Sequence, residues 1–113
     1  MSSSAQKQAF KGEVRRWAKK LNVQVAGIYV RPMRHKWASC SSNGILSFND
    51  ELLALEPAVW TYVIVHELLH FDVPNHGKLW KSLMRAHVGD WERCEAVLRA
   101  QSQEGSPSPS SRP

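Results

Sequence analysis

The chain has 113 residues, of which 42% are hydrophobic, so it is long enough for one domain with a modest core. We expect neither a membrane span, because no apolar run is long enough to cross a bilayer, nor a secretory leader, because the N-terminus lacks an apolar segment. Cys40 and Cys94 form no C-x-x-C motif. Free thiols in a reducing cytoplasm are the favoured interpretation and a disulfide is the alternative.

The net charge of +5 is unevenly distributed along the chain. The basic N-terminal third, residues 1–36, contains nine Lys or Arg and one acidic residue, whereas the remainder contains six against nine. Weak contact with nucleic acid through this third is one interpretation. An ordinary solvated helix face is favoured, because no aromatic residues alternate with the cations to stack on bases.

Helical and strand periodicities predict the elements of the first half in chain order. Apolar residues recur at helical spacing over Ser4–Leu21 and predict an amphipathic helix. Its predicted buried stripe consists of Phe10, Val14, Trp17, Ala18 and Leu21. Val23–Val30 is rich in β-branched residues and predicts a strand that Pro32 ends. Trp37–Ser41 and Ile45–Phe48 predict two more strands joined by an Asn-Gly hairpin turn, hence a small, mostly antiparallel sheet of about three strands.

Helices dominate the second half. A short helix capped by Asn49 or Asp50 precedes Pro57–Phe71, which is apolar nearly all round and is therefore expected at the centre of the fold. Gly77–Val88 and residues 91–100 predict two C-terminal helices. Residues 101–113 are polar and rich in Pro and Ser, so we expect one domain over residues 1–100 and a disordered tail.

The central helix contains the pattern H-E-x-x-H at His66, Glu67 and His70. Residues four apart on a helix share one face, so the two imidazoles can point at one metal ion. Zinc binds imidazole nitrogens, and a catalytic zinc site uses three protein ligands and one open position. Glu67 follows His66 directly, so it lies beside the metal direction, as a general base does in this motif.

A third ligand must come from beyond the helix. Pro74 and Asn75 favour a break after His70, and a chain reversal there could return His76 to the metal. We therefore predict one zinc ion held by His66, His70 and His76. Two core histidines with hydrogen-bond partners are the alternative.

Three blocks of the chain resemble the YgjP-like metallopeptidase family, a compact zincin group related to the SprT-like proteases. Residues 31–42, RPMRHKWASCSS, resemble the family's arginine followed by K-S-R-W-G-S-C-S-S, with Ala38 in place of glycine and His35 in place of a small residue. Residues 44–55 resemble G-x-I-x-L-N-x-x-L. Residues 63–80 resemble V-V-H-E-L-x-H followed by N-H-S-x-x-F-W.

The resemblance implies an α+β zincin-like fold, in which a sheet with an edge strand along the cleft packs on the active-site helix. It implies zinc ligands at His66, His70 and His76 and a catalytic carboxylate at Glu67. The implied function is a zinc-dependent metallopeptidase that hydrolyses peptide bonds with a zinc-activated water and Glu67 as general acid and base. Alternatives are a metal-dependent nucleotide phosphohydrolase and a nucleic-acid-associated binding or protease module.

The substrate is expected to be a protein or peptide. If Ile45–Phe48 is an exposed edge strand, an extended peptide could pair with it. Arg31, Arg34 and His35 are candidates for substrate binding or oxyanion stabilisation, with ordinary exposed charge as the alternative. Cys40 could bind zinc and hold the enzyme latent, although a structural thiol is favoured.

Overall fold

The computed structural model describes residues 3–34, 36–71 and 77–103. In chain order these residues form α1 (Ser3–Leu21), β1 (Gly27–Arg31), β2 (Ala38–Cys40), β3 (Ile45–Asn49), a 3₁₀ helix (Asp50–Ala54), α2 (Pro57–Leu69), α3 (Lys78–His87) and α4 (Trp91–Gln103). This arrangement confirms the predicted α+β class, with one N-terminal and two C-terminal helices around a central one. None of the helices in these residues has the length and apolar character needed to cross a membrane.

The predicted stripe of α1 lies in the core: Phe10, Val14, Trp17 and Ala18 are buried, and Leu21 is partly buried against them. The helix ends at Asn22, whose φ of 60° is the left-handed conformation that Asn tolerates better than most residues. The amide of Val23 donates to the carbonyl of Ala18 at 2.8 Å, and the amide of Asn22 to that of Lys19 at 3.2 Å. These two bonds form a Schellman cap, which turns the chain from α1 toward the sheet.

The sheet is mixed, with the strand order β1-β3-β2. β3 pairs in parallel with β1 and antiparallel with β2, so the prediction of a mostly antiparallel sheet is wrong for the β1 pairing. The prediction that Ile45–Phe48 is an edge strand is also wrong. All four residues 46–49 of β3 are buried, and β3 has a hydrogen-bonded strand on each side, so it is the central strand of the sheet.

The first strand is shorter than predicted. The sequence favoured Val23–Val30, but ladder pairing begins at Gly27, opposite Ile45, and runs to Arg31, opposite Asn49. Residues 23–25 have no partner in the β1–β3 ladder, because β3 starts only at Ile45. Strand propensity therefore extends beyond the residues that find a hydrogen-bonding neighbour.

Two local devices hold β2 and β3 in place. The hairpin loop turns through Gly44 at φ 86°, and the amide of Gly44 donates to the carbonyl of Ser41 at 3.1 Å, which confirms the predicted Asn-Gly turn. The fully buried Asn49 donates its amide hydrogens to the carbonyls of Met33 and Lys36, each at 3.1 Å, and accepts from the amide of Glu51 at 3.0 Å. Asn49 thus fixes the loop between β1 and β2 and caps the 3₁₀ helix.

The helix α2 is central, as predicted, and ends two residues before the predicted Phe71. Phe10 of α1 contacts Phe48 of the sheet and Trp60 of α2, with ring centroids 5.0 and 5.1 Å apart, so both helices pack on the same face of the sheet. The helix α4 continues to Gln103, three residues into the predicted tail. The rest of that tail, residues 104–113, lies outside the described residues.

Candidate metal centre

The last turns of α2 bring His66, Glu67 and His70 together, as the spacing predicted. The ring centroids of His66 and His70 are 5.0 Å apart, with 47° between the ring planes. Two imidazoles that share a tetrahedral zinc at about 2.0–2.1 Å place their centroids roughly 5 Å apart. The side chains of this pair therefore fit two ligands of one zinc ion.

Aromatic rings surround the imidazole of His66, which is only 4% exposed. Tyr62, one turn earlier on α2, lies 5.6 Å from it, and Trp80 of α3 meets it edge-on at 5.2 Å. Trp80 in turn makes an edge contact of 5.3 Å with Trp91 of α4. Three helices thus restrict the rotation of His66 and keep bulk water from one side of it.

Glu67 is a buried carboxylate, 3% exposed, next to His66. Its charge acts on two neighbouring groups. Burial, and then the Glu67 charge, raise the pKa of the Cys40 thiol at the end of β2. Burial, followed by the charges of Glu95 and of other groups including Glu67, raises the pKa of the Tyr62 phenol. The end of the edge strand β2 therefore lies within electrostatic reach of the Glu67 carboxylate.

The other predicted site residues are placed as follows. His76 and His35 lie outside the described residues. Within residues 3–34, 36–71 and 77–103, no group of three His, Cys, Asp or Glu side chains could hold a metal ion. Arg31 and Arg34 are exposed, and strand alternation puts Arg31 on the face of the sheet opposite the buried Val30.

Tyr62 and Trp80 are neighbours of the site that the motif alone does not identify. Tyr62 stands four residues before His66, so the same helical spacing that pairs His66 with His70 could have placed it there. Trp80 is a buried residue of α3, only 2% exposed. Its contact with His66 depends on how α3 folds back on α2, for which the sequence carries no local signal.

The fold is a mixed sheet packed on a central helix that carries two imidazoles and a buried carboxylate. Two solved structures share this fold. The metallopeptidase zymogen of Methanocaldococcus jannaschii jannalysin has a TM-score of 0.70 and 27% identity over 84% of this chain and 96% of its own. The metallopeptidase zymogen of Pyrococcus abyssi abylysin, at 19% identity over 88% and 98% of the two chains, has a TM-score of 0.68 and shows the fold alone.

The family assignment rests on residues 1–101, which match the model of the YgjP-like metallopeptidase domain. The chain belongs to this family, so the resemblance found in the sequence is confirmed. No curated protein matches the chain significantly.

Proposed function

We propose that the chain is a zinc-dependent peptidase in which His66, His70 and His76 hold one zinc ion and Glu67 transfers a proton. The observation that supports this most directly is the imidazole pair, 5.0 Å apart, beside a buried carboxylate in a metallopeptidase chain. Imidazole nitrogen is a donor that suits zinc better than it suits hard cations such as calcium. A third imidazole from His76 would complete a ligand set that leaves one position open.

Zinc, when bound, supplies Lewis-acid polarisation of the scissile carbonyl and makes water a stronger nucleophile. Glu67 accepts the proton of the attacking water and passes it to the leaving amine. Its burial favours this role, because a carboxylate in a region of low dielectric interacts strongly with nearby charge. Tyr62 and Trp80 hold the ring of His66 in one orientation.

In this proposal the peptide substrate pairs with the edge strand β2, because β3, the strand favoured by the sequence, is central in the sheet. Among the described residues β2 pairs only with β3, so one edge of its backbone is available to an extended peptide. Cys40 at the end of β2 is influenced by the Glu67 charge, so a peptide on this edge passes close to the catalytic carboxylate. Protein or peptide segments without regular structure are the natural substrates.

Replacing Glu67 with Gln tests the proposal. The variant should keep its zinc while casein hydrolysis falls on the order of 10³-fold, because the proton acceptor is lost and the imidazoles are not. Glu51→Gln makes the same chemical change on the exposed 3₁₀ helix and should cleave like the wild type. Hydrolysis is followed with fluorescent casein and zinc by elemental analysis. Wild-type turnover by the Glu67 variant, or protein purified without chelator that takes up no zinc, would refute the assignment.

We also propose that the protein works in a reducing compartment, the cytoplasm. Cys40 and Cys94 are both free thiols, one exposed and one buried. Alkylation in intact cells before lysis should label Cys40. If Cys40 is labelled only after treatment with a reductant, the thiol is oxidised in the cell and the proposal is contradicted.

Weak contact with nucleic acid is a second proposal, and the exposed side of α1 favours it. Lys7, Lys11, Arg15 and Lys19 follow one another at four-residue spacing, and none has an ion-pair partner among the residues that the structure describes. Such a stripe can follow a phosphate backbone. Binding of labelled single-stranded DNA should weaken steeply with salt, and replacing Lys11 and Arg15 with Gln should lower both affinity and salt slope. A flat response to ionic strength would exclude this contact.

A further inference from the structure

A groove of about 580 Å³ crosses the exposed face of the sheet. Tyr29 and Arg31 line it from β1, Ser47 from β3, and Ser39 and Cys40 from β2, with hairpin residues at one end. The groove is separate from the imidazole pair of α2. The groove and the metal site nevertheless meet at β2, because Cys40 lines the groove and is also influenced by the Glu67 charge.

Strand register explains the shape of this groove. Ser47 lies opposite Tyr29 on one side and opposite Ser39 on the other, so these three side chains form one row across the sheet. The two serines are short and leave a low floor, whereas Tyr29, 54% exposed, stands on the far side of it. The row is open toward the free edge of β2.

The groove is electropositive. Among the described residues that line it, Arg31 is the one charged residue and none is acidic. In the part of the chain that the structure describes, Arg31 has no ion-pair partner. A guanidinium beside hydroxyl groups is suited to bind a carboxylate, which accepts hydrogen bonds from both.

We propose that this groove is a substrate subsite for a glutamate side chain. The inference rests on the proposed peptidase function, because the glutamate belongs to a peptide paired with β2. Successive side chains of such a peptide point to opposite faces of the sheet. The residue opposite Cys40 faces α2 and Glu67, and the residue opposite Ser39 faces the groove.

The span of the groove selects a long acidic side chain. Arg31 lies two residues along β1 from Tyr29, which belongs to the row of Ser39. From Arg31 to a peptide residue opposite Ser39 is therefore three strand spacings across and two residues along the strands, about 16 Å between Cα atoms. An arginine and a glutamate extended toward each other over the serine floor can just cover that distance and form an ion pair. Aspartate is one methylene shorter, so it should bind less well than glutamate.

The test uses a set of fluorogenic peptides in which a single Glu occupies each position around the cleaved bond in turn, with Gln as the neutral control. The zinc-loaded protein should show about tenfold higher kcat/KM for Glu at one position, or at two positions two residues apart, and no gain at the positions between them. Asp at the same position should give a smaller gain. Equal rates for Glu and Gln at every position would overturn the subsite while leaving the peptidase function intact.

Variants of Arg31 test whether this residue causes the preference for Glu. Arg31→Gln should abolish the Glu preference, and Arg31→Glu should replace it with a preference for Lys at the same position. Lys36→Gln removes a neighbouring exposed cation that does not line the groove, so it should keep the wild-type preference. A Glu preference that survives in Arg31→Gln would overturn the proposal.

Peptide binding separates the two proposals if no peptide is cleaved. Absence of cleavage would refute the peptidase function, and the affinities of labelled Glu and Gln peptides for the wild type would then decide the subsite. An affinity for the Glu peptide about tenfold higher, lost in Arg31→Gln, supports the groove as a carboxylate site. Equal affinities would overturn it.

Discussion

Two tryptophan–histidine pairs of similar geometry lie at opposite ends of α3. Near its start, Trp80 meets His66 of α2 at 5.2 Å and 69°. At its end, His87 meets Trp17 of α1 at 5.9 Å and 85°. Both are edge contacts between an indole and an imidazole, and both pack a helix against α3. The pairs differ in what surrounds them.

His66 has a second imidazole, His70, 5.0 Å away and the buried Glu67 carboxylate next to it. The ring of Trp17 instead lies under two cations, with the Arg16 guanidinium carbon at 5.2 Å and the Lys20 ammonium at 4.7 Å from its centroid. Nitrogen donors with a nearby anion favour a divalent cation, and positive neighbours oppose one. An aromatic contact therefore does not mark a metal ligand, whereas its electrostatic surroundings do.

Removing each imidazole in turn gives the largest expected difference between the two pairs. His66→Ala should lower zinc affinity by more than about a hundredfold, because a ligand is lost and not only a partner that orients one. His87→Ala should leave zinc binding unchanged. The measurement is zinc content after dialysis against a competing chelator, with circular dichroism to confirm that both variants fold. A His66 variant that retains one zinc per chain would break the comparison.

Replacing the indole rings should give a smaller difference in zinc affinity, but one that tests the role of the ring contact more specifically. Trp80→Phe should weaken zinc binding about tenfold, because the smaller ring lets the His66 imidazole rotate away from its ligand orientation. Trp17→Phe changes the matching pair on the far end of α3 and should not alter zinc affinity. Cobalt substitution reports the geometry directly, and the visible absorption bands should shift only in the Trp80 variant.

Equal effects of the two replacements on zinc affinity would mean that Trp80 acts through general stability. Both replacements open space in the core, so both should lower the free energy of unfolding. Denaturant titration of the zinc-free proteins measures that common loss and separates it from the effect on the metal.

The predictions that depend on local periodicity agree with the structure. The four-residue interval between His66 and His70 places both imidazoles on one side of α2 whatever the rest of the fold does. The Asn-Gly turn and the predicted end of the first helix at Leu21 are equally local, since Gly44 and Asn22 each adopt a positive φ that few other residues tolerate. The third ligand, His76, stays a prediction.

The predictions that depend on distant partners agree less well. Sheet order was missed because the hairpin between β2 and β3 is visible in the sequence, whereas the insertion of β3 between β1 and β2 is set by burial of Leu46 and Phe48 against α1 and α2. Trp80 contacts His66 only because α3 packs back against α2. Neither arrangement has a signature within one element.

Tyr62 is the third ring around His66, and His87 has no tyrosine among its described ring contacts. Burial raises the pKa of its phenol above the ordinary value of 10.0. The unfolded chain therefore ionises first as the pH rises, so the stabilisation is complete below about pH 10 and is lost above it, at up to roughly 1.4 kcal/mol per pH unit. Tyr62→Phe should reduce this alkaline loss, measured as the difference in unfolding free energy between pH 9 and pH 11 for the two zinc-free proteins. Identical losses would show that other groups carry the alkaline dependence and that the Tyr62 hydroxyl is not held in its neutral form by the fold.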